Sequence, residues 1–169
     1  MRKILLLLCL ALSLFALQND KDMLSGELKN GLKYYIKENK LPQNTAIFYL
    51  VVNSGSTDER EGEQGLAHFL EHMAFNGSRD FSKNELIKQL ESLGVKFGAD
   101  LNAQTSYDQT SYTLSINVNE KNLKDVFKVF SNWIDGVKID AGELDKERGV
   151  IMEEERQRNT PAYRLYLAQ

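Results

Sequence analysis

The chain has 169 residues, which is long enough for one ordinary domain and too short for two comfortable ones. Its 42% hydrophobic and 27% charged residues, with only 2 prolines, exclude the collagen-like, low-complexity and disordered classes. A formal net charge of −3 gives no support to a nucleic-acid partner, because nucleic-acid-binding domains normally carry a basic patch.

The N-terminus has the pattern of a secretory signal peptide. Residues 1–3 carry a positive charge, and residues 4–17 are almost entirely apolar and uncharged. About 14 apolar residues suit the core of a signal peptide, whereas a membrane span needs roughly 20. We therefore predict a signal peptide over residues 1–16, cleaved after Ala16, and a mature, exported chain without a membrane span. A retained N-terminal anchor is the alternative.

Cys9 is the only cysteine of the chain and lies inside this removable segment. Without it the mature protein has no thiol, so neither a disulfide framework nor a cysteine-based zinc site is available. Any metal that the mature chain binds must therefore be held by histidine and carboxylate side chains.

Strand and helix patterns are mixed along the rest of the chain. In chain order we predict a hairpin over 24–38 with a two-residue Asn30-Gly31 turn, a strand over 45–53, a loop over 54–65, a helix over 64–75, a helix from Ser82 to Leu93, strands over 97–103 and 109–118, a helix through 123–134 and a helix over 140–157. Apolar residues alternate at Tyr112, Leu114, Ile116 and Val118, which indicates a strand with one buried face. In the helix through 123–134, Phe127, Phe130 and Trp133 are expected to be core residues. This order predicts an α+β fold with an antiparallel or mixed sheet and helices packed on one face.

Both histidines of the chain lie one helical turn apart in the first predicted helix. At 100° per residue, His68, Glu71 and His72 share one face of that helix. Two imidazoles at this spacing can bind one zinc ion at about 2.0–2.1 Å, and the neighbouring carboxylate can take a proton from a zinc-bound water. His-x-x-Glu-His is the inverted form of a zinc peptidase motif. An isolated histidine pair can also be a surface accident, so spacing alone leaves both interpretations open.

A catalytic zinc ion usually has three protein ligands and one open position. Because no third histidine exists, the third ligand must be Asp or Glu, and the helix over 140–157 is the richest source. Spacing does not choose among its candidates Glu147, Glu153, Glu154 and Glu155. A solvated acidic face is the ordinary alternative for such a run of charges.

The segment over residues 65–77 resembles the active-site signature of the pitrilysin/insulysin family of zinc metallopeptidases. The similarity continues in register through residues 93–94, 99–106 and 146–154, and it covers the chain from about residue 24 to its end. It is strongest to large exported bacterial members, which implies a periplasmic location. It also implies the fold of the N-terminal part of a pitrilysin-type half.

Matched by position, the resemblance implies a site with one zinc ion. His68, His72 and Glu154 match the metal ligands of the family, and Glu71 matches the catalytic base. Glu147 matches the second acidic residue of the family, which supports the site from the outer shell without binding the metal. The implied reaction is endopeptidase hydrolysis of extended peptides by a metal-activated water.

The resemblance also implies a peptide substrate and a larger assembly. Asn102 and Ala103 match an edge-strand segment against which family members lay the substrate backbone. Family members have two homologous halves, each longer than this chain, and the second half supplies an Arg/Tyr pair to the site. We therefore expect residues 17–169 to be an incomplete N-terminal peptidase domain that needs a C-terminal half or a second homologous chain. The alternatives are a non-catalytic partner subunit of such a peptidase and a fragment that is inactive by itself.

Overall fold

The structure is a computed structural model that describes residues 20–167. The predicted signal peptide over residues 1–16 lies outside the described residues. The chain divides after Gln43 into two compact units. Within residues 20–167, no helix is both long enough and apolar enough to cross a membrane.

The first unit contains an antiparallel hairpin of strands β1 (Met23–Glu27) and β2 (Lys33–Lys37). The hairpin itself was predicted, but its turn differs from the expected two-residue form. The Gly31 N–H donates to the Leu28 carbonyl at 2.9 Å, and Gly31 has a left-handed φ of 87°. The connection is therefore a three-residue turn over 29–31, in which glycine supplies the positive φ that a bulged hairpin requires.

The second unit is built on a three-stranded antiparallel sheet of β3 (Thr45–Val52), β4 (Leu101–Thr105) and β5 (Thr110–Asn117). The strand order is β3-β5-β4, so β5 is central and β4 forms one edge of this sheet. The register pairs Leu50 with Tyr112 and Ala103 with Tyr112 on the two sides of β5. The predicted alternation is confirmed for Tyr112, Leu114 and Ile116, which are all buried, whereas Val118 follows the end of β5 and is 38% exposed.

Five described helices accompany the sheet: α1 (Leu66–Met73), α2 (Lys83–Ser92), α3 (Glu120–Asp135), α4 (Ala141–Arg158) and α5 (Pro161–Leu167). The starts of α2 and α4 follow ordinary capping chemistry. Ser82 and Glu85 form a reciprocal capping box at the start of α2, and the Asp140 carboxylate accepts hydrogen bonds from the N–H groups of Gly142 and Glu143 at the start of α4.

The hydrophobic core lies between the sheet and the helices on one of its faces. Trp133 of α3 stacks on Tyr112 of the sheet with ring centroids 5.1 Å apart, and Phe130 contacts Phe48 of β3. The opposite face of β3 leaves Ile47 and Tyr49 exposed. The predicted α+β class, with an antiparallel sheet and helices on one face, is confirmed.

Two local expectations are wrong. The strand expected over 97–103 begins only at Leu101, because Gly98 has a left-handed φ of 81° and the Asp100 carboxylate accepts the Lys96 N–H at 3.0 Å in a turn. Phe97 is consequently more than half exposed. Phe127, expected in the core with Phe130, is 61% exposed, and its ring lies perpendicular to that of Phe48 with the centroids 5.8 Å apart.

Candidate active site

Helix α1 carries the histidine motif and has a fixed starting point. Gly65, at its N-terminus, has a left-handed φ of 91°. The Glu59 carboxylate accepts the N–H of Gly65 at 2.9 Å and that of Ala67 at 2.8 Å. A carboxylate in this place satisfies N–H groups that have no partner within the helix and compensates the positive end of the helix dipole.

The end of α1 is anchored in the core. Met73 is fully buried, and the Trp133 indole N–H donates to the Ala74 carbonyl at 3.0 Å. With one side of the helix held in this way, the face that carries His68, Glu71 and His72 turns toward β4 and α4, both of which contact α1.

The structure brings together the three side chains expected to bind metal. The Nε2 atoms of His68 and His72 are 3.1 Å apart, and Glu154 Oε2 lies 3.6 Å and 3.7 Å from them. Among the described residues, these side chains form a group whose potential ligand atoms all lie within 4.8 Å of one another. A tetrahedral site with zinc–ligand distances of about 2.0–2.1 Å separates its ligand atoms by about 3.4 Å. The donor set and its spacing therefore fit a zinc ion.

A second glutamate of α4 orients His72. Glu147 Oε1 lies 2.8 Å from His72 Nδ1, and both side chains are largely buried. Because an ionised carboxylate can only accept, Nδ1–H donates a hydrogen bond to Glu147, and in this tautomer the lone pair of the ring is on Nε2. Glu147 Oε2 accepts a hydrogen bond from Asn76 Nδ2, also at 2.8 Å.

Glu71 is buried beside the histidines and faces β4. It is only 8% exposed, and its Oε2 accepts a hydrogen bond of 2.7 Å from the Thr105 hydroxyl. Burial raises the pKa of the nearby Tyr112 hydroxyl, and the negative charge of Glu71 adds to that shift. Tyr112 consequently stays a neutral phenol next to the carboxylate.

The environment of His68 favours its neutral form. Burial lowers its pKa, and the neighbouring His72 lowers it further, while Glu71 acts in the opposite direction. A neutral imidazole is the form that binds a metal ion, so this environment suits a ligand.

The four glutamates of α4 that spacing leaves as candidate ligands have different neighbours. Glu147 and Glu154 both reach the histidines. Glu153 instead accepts two hydrogen bonds from Arg156 and one from Gln157, and Glu155 is exposed. Glu154 also accepts a hydrogen bond of 3.3 Å from Arg158 on the next turn of α4.

A cleft of about 420 Å³ opens beside these residues. Its lining includes Glu71 and His72 of α1 together with Asn102 and Ala103 of β4. Among the described strands β4 pairs with β5 alone, so its other edge has no strand partner there. The structure therefore brings the two expected substrate-binding residues close to the expected catalytic ones.

Three contacts of the site were not predicted. Asn76, Thr105 and Glu59 each bind a residue of α1 or its partners through a hydrogen bond. Asn76 and Thr105 lie within segments that carry the family resemblance, which was a signal for their relevance but not for their contacts. Glu59 lies in the predicted loop, where nothing in the pattern marks one carboxylate among several.

Comparison with known proteins defines the class. Residues 34–167 match the family described as Insulinase (Peptidase family M16). The chain belongs to this peptidase family, and the resemblance expected from residues 65–77 is confirmed.

The similar proteins include bacterial zinc proteases. The chain is 42% identical over 140 residues to the probable zinc protease PqqL of Escherichia coli (strain K12), covering 82% of this chain and 15% of that protein. Crystal structures of the periplasmic protease PqqL from Escherichia coli and of its first half each match at 39% identity and a TM-score of 0.85. Each match covers 90% of this chain, but only 17% of the whole protease and 33% of its first half. The chain thus spans a small part of the relatives that it matches.

Proposed function

We propose that this chain carries the zinc-binding catalytic site of a periplasmic endopeptidase that cleaves extended peptides. One observation carries the proposal: three ligand atoms of His68, His72 and Glu154 converge within 4.8 Å, next to a buried glutamate on the same helix. The similarity to a protease described as periplasmic supports the location. The predicted signal peptide over residues 1–16 is consistent with it.

One zinc ion would be held by His68, His72 and Glu154. Glu147 would accept a hydrogen bond from Nδ1 of His72, on the far side of the ring from the metal. Zinc bound there supplies a Lewis acid that polarises a carbonyl group and lowers the pKa of a water molecule. The protein contributes His72, whose ring is oriented by a carboxylate, an arrangement that raises the basicity of the ligand.

Glu71 is the general base of the proposed reaction. Its carboxylate accepts a proton from the attacking water and then delivers that proton to the amine leaving group. The Thr105 hydroxyl donates to one of its oxygens and so leaves the other oxygen available to the water. Burial next to Tyr112 keeps this carboxylate in a region of low dielectric, where its interactions are strong.

The edge of β4 is the proposed binding site for the peptide backbone. An extended peptide can add to a free strand edge through main-chain hydrogen bonds, and this mode selects unfolded segments over folded proteins. Asn102 and Ala103 would contact the substrate there, since both line the cleft beside Glu71.

Activity would require more of the protein than this chain. The match to one third of the first half of PqqL supports the view that further segments enclose the substrate. The same observation favours the alternative that the isolated chain binds zinc but is inactive. A C-terminal half or a second homologous chain is the proposed partner.

The test replaces the catalytic base in two proteins: the chain itself, and a fusion in which it replaces the matching segment of PqqL. Glu71→Gln should lower the cleavage of an unstructured fluorogenic peptide by the fusion about 10²- to 10⁴-fold, the usual contribution of general acid–base catalysis. Zinc content should not change, because Glu71 is not among the three converging ligand groups.

The matched control is Glu91→Gln, a charge-neutralising change at an exposed position of α2. It should leave the activity of the fusion intact. Full activity of the Glu71→Gln fusion would contradict the proposed mechanism. Cleavage by the fusion but not by the isolated chain would identify the chain as an incomplete enzyme.

A further inference from the structure

Asn76 is buried immediately after α1 and lies beside the candidate metal centre. It is 8% exposed and lines the same cleft as Glu71 and His72. Its amide nitrogen Nδ2 donates to Glu147 Oε2 at 2.8 Å and to the His72 carbonyl at 3.1 Å. One side chain thus contacts both the helix that carries the motif and the helix that carries the acidic residues.

The chemistry of these neighbours fixes the orientation of the amide. Both are acceptors, so the NH2 group must face them, and the reversed amide would place its oxygen against two oxygens. In this orientation Asn76 Oδ1 is buried with no hydrogen-bond partner among the described residues. A buried acceptor without a partner destabilises the folded protein. An asparagine nevertheless suits this position, because the two N–H groups of its amide match the acceptor oxygens of Glu147 and of the His72 carbonyl.

Asn76 begins a chain of hydrogen bonds that passes through Glu147 and ends at His72 Nδ1, across the ring from the expected ligand atom Nε2. Glu147 accepts from Asn76 with one oxygen and from His72 Nδ1 with the other. A carboxylate bound at both oxygens has one orientation, and so does the imidazole that it contacts. The His72 Nε2 atom is thereby held 3.1 Å from His68 Nε2.

We propose that Asn76 is a positioning residue of the metal centre: it holds the Glu147 carboxylate in the orientation that aims His72 at the metal. The inference rests on the proposed function, because it takes His68, His72 and Glu154 as the zinc ligands. It assigns Asn76 no contact with zinc or substrate.

The test measures zinc affinity of the full chain by competition with a chromogenic chelator. Asn76→Asp keeps the size of the side chain but places a carboxylate against Glu147. Zinc affinity should therefore fall by about 10- to 100-fold, which is the usual effect of changing a residue that hydrogen-bonds to a metal ligand or supports one. Asn76→Ala removes both donors without adding charge and should also weaken binding. This second variant is used if the added charge prevents folding, which circular dichroism reports.

Glu147→Gln provides a rescue that a merely structural role would not give. A glutamine at 147 can accept from His72 Nδ1 and donate to an aspartate at 76, so the pair is restored with reversed roles. Asn76→Asp should therefore cost much less zinc affinity in the Glu147→Gln background than in the wild-type background. If Asn76 only ended helix α1 through the His72 carbonyl, the cost would be equal in both backgrounds.

Asn122→Asp is the matched control. Asn122 Nδ2 donates to the Asn117 carbonyl at 2.8 Å at the start of α3, a similar bond outside the site, and its loss should leave zinc affinity unchanged. Asn76 variants that bind zinc as tightly as wild type, or an equal cost in both backgrounds, would overturn this inference alone. A wild-type chain that binds no zinc would overturn the proposed function with it.

Discussion

Glu147 and Glu154 lie two turns apart on the same helix but have different surroundings. Glu147 is 12% exposed and bonded to His72 Nδ1 and Asn76. Glu154 is 35% exposed and faces both Nε2 atoms of the histidine pair. The two residues are chemically identical, but they face different atoms of the histidines. Glu147, at Nδ1, therefore has the position of a supporting residue, and Glu154, at the Nε2 atoms, has the position of a ligand.

This difference predicts distinct effects of neutralising each carboxylate. Glu154→Gln should abolish tight zinc binding, because an amide oxygen is a much weaker ligand than a carboxylate. Glu147→Gln keeps an acceptor for His72 and should weaken zinc binding only about 10- to 100-fold. Zinc content after dialysis, followed by chelator competition, measures both.

Glu155→Gln is the control for the charge of α4, since Glu155 is exposed on the same helix. It should bind zinc like the wild-type chain. Loss of zinc in Glu147→Gln with retention in Glu154→Gln would contradict the assignment.

At the residue scale, the sequence predicted the contacts of side chains that share one helix, and it left open the contacts that depend on how two elements pack. His68, Glu71 and His72 share a face because of helical periodicity alone, so their proximity was predictable. The choice among the glutamates of α4 depends on how that helix lies against α1, which no spacing encodes. The Thr105 hydroxyl reaches Glu71 only because β4 packs beside the motif helix.

At the scale of elements, α1 is a short helix whose two ends are both held from outside. Glu59 binds the N–H groups of Gly65 and Ala67, and the Trp133 indole binds the carbonyl of Ala74. Helices of this length are marginal by themselves, so tertiary contacts supply most of the stability of α1. The same contacts fix the direction of its metal-binding face.

Removal of the Glu59 charge should weaken this arrangement. Glu59→Gln keeps one acceptor but loses the second oxygen and the charge at the helix N-terminus, so the free energy of unfolding should fall by about 1 kcal/mol. Denaturant unfolding monitored by circular dichroism measures the change. Glu61→Gln, an exposed neighbour in the same loop, should lie within about 0.5 kcal/mol of wild type. Equal stabilities of the Glu59 and Glu61 variants would contradict the capping role.

The predicted ends of strands and turns differ most from the structure near Gly31 and Gly98, where a glycine with positive φ forms a turn. The apolar residues near Phe97 suggested an early strand start, but the left-handed Gly98 and the Asp100 turn delay the strand until Leu101. Asn30-Gly31 likewise signalled a hairpin without fixing the length of its turn. The helix starts at Ser82 and Asp140 were predicted correctly, because capping depends on residues adjacent in sequence.

At the scale of the whole molecule, the second unit combines a sheet edge and a candidate metal centre in one cleft. The alternation of buried residues in β5 and the stacking of Trp133 on Tyr112 hold the sheet against the helices. That packing places β4 next to α1, and hence Asn102 and Ala103 near Glu71. The fold class was predictable from the order of elements, whereas this juxtaposition depends on tertiary packing.

The central claim is that His68, His72 and Glu154 form one zinc site beside Glu71, and zinc content of the purified chain tests it most directly. We predict about one zinc ion per chain for the wild type and for Glu71→Gln, and no bound zinc for the double variant His68→Ala/His72→Ala. Atomic absorption after dialysis against metal-free buffer gives the ratio. Wild-type chain without zinc, or equal zinc in the wild type and the double histidine variant, would contradict the claim.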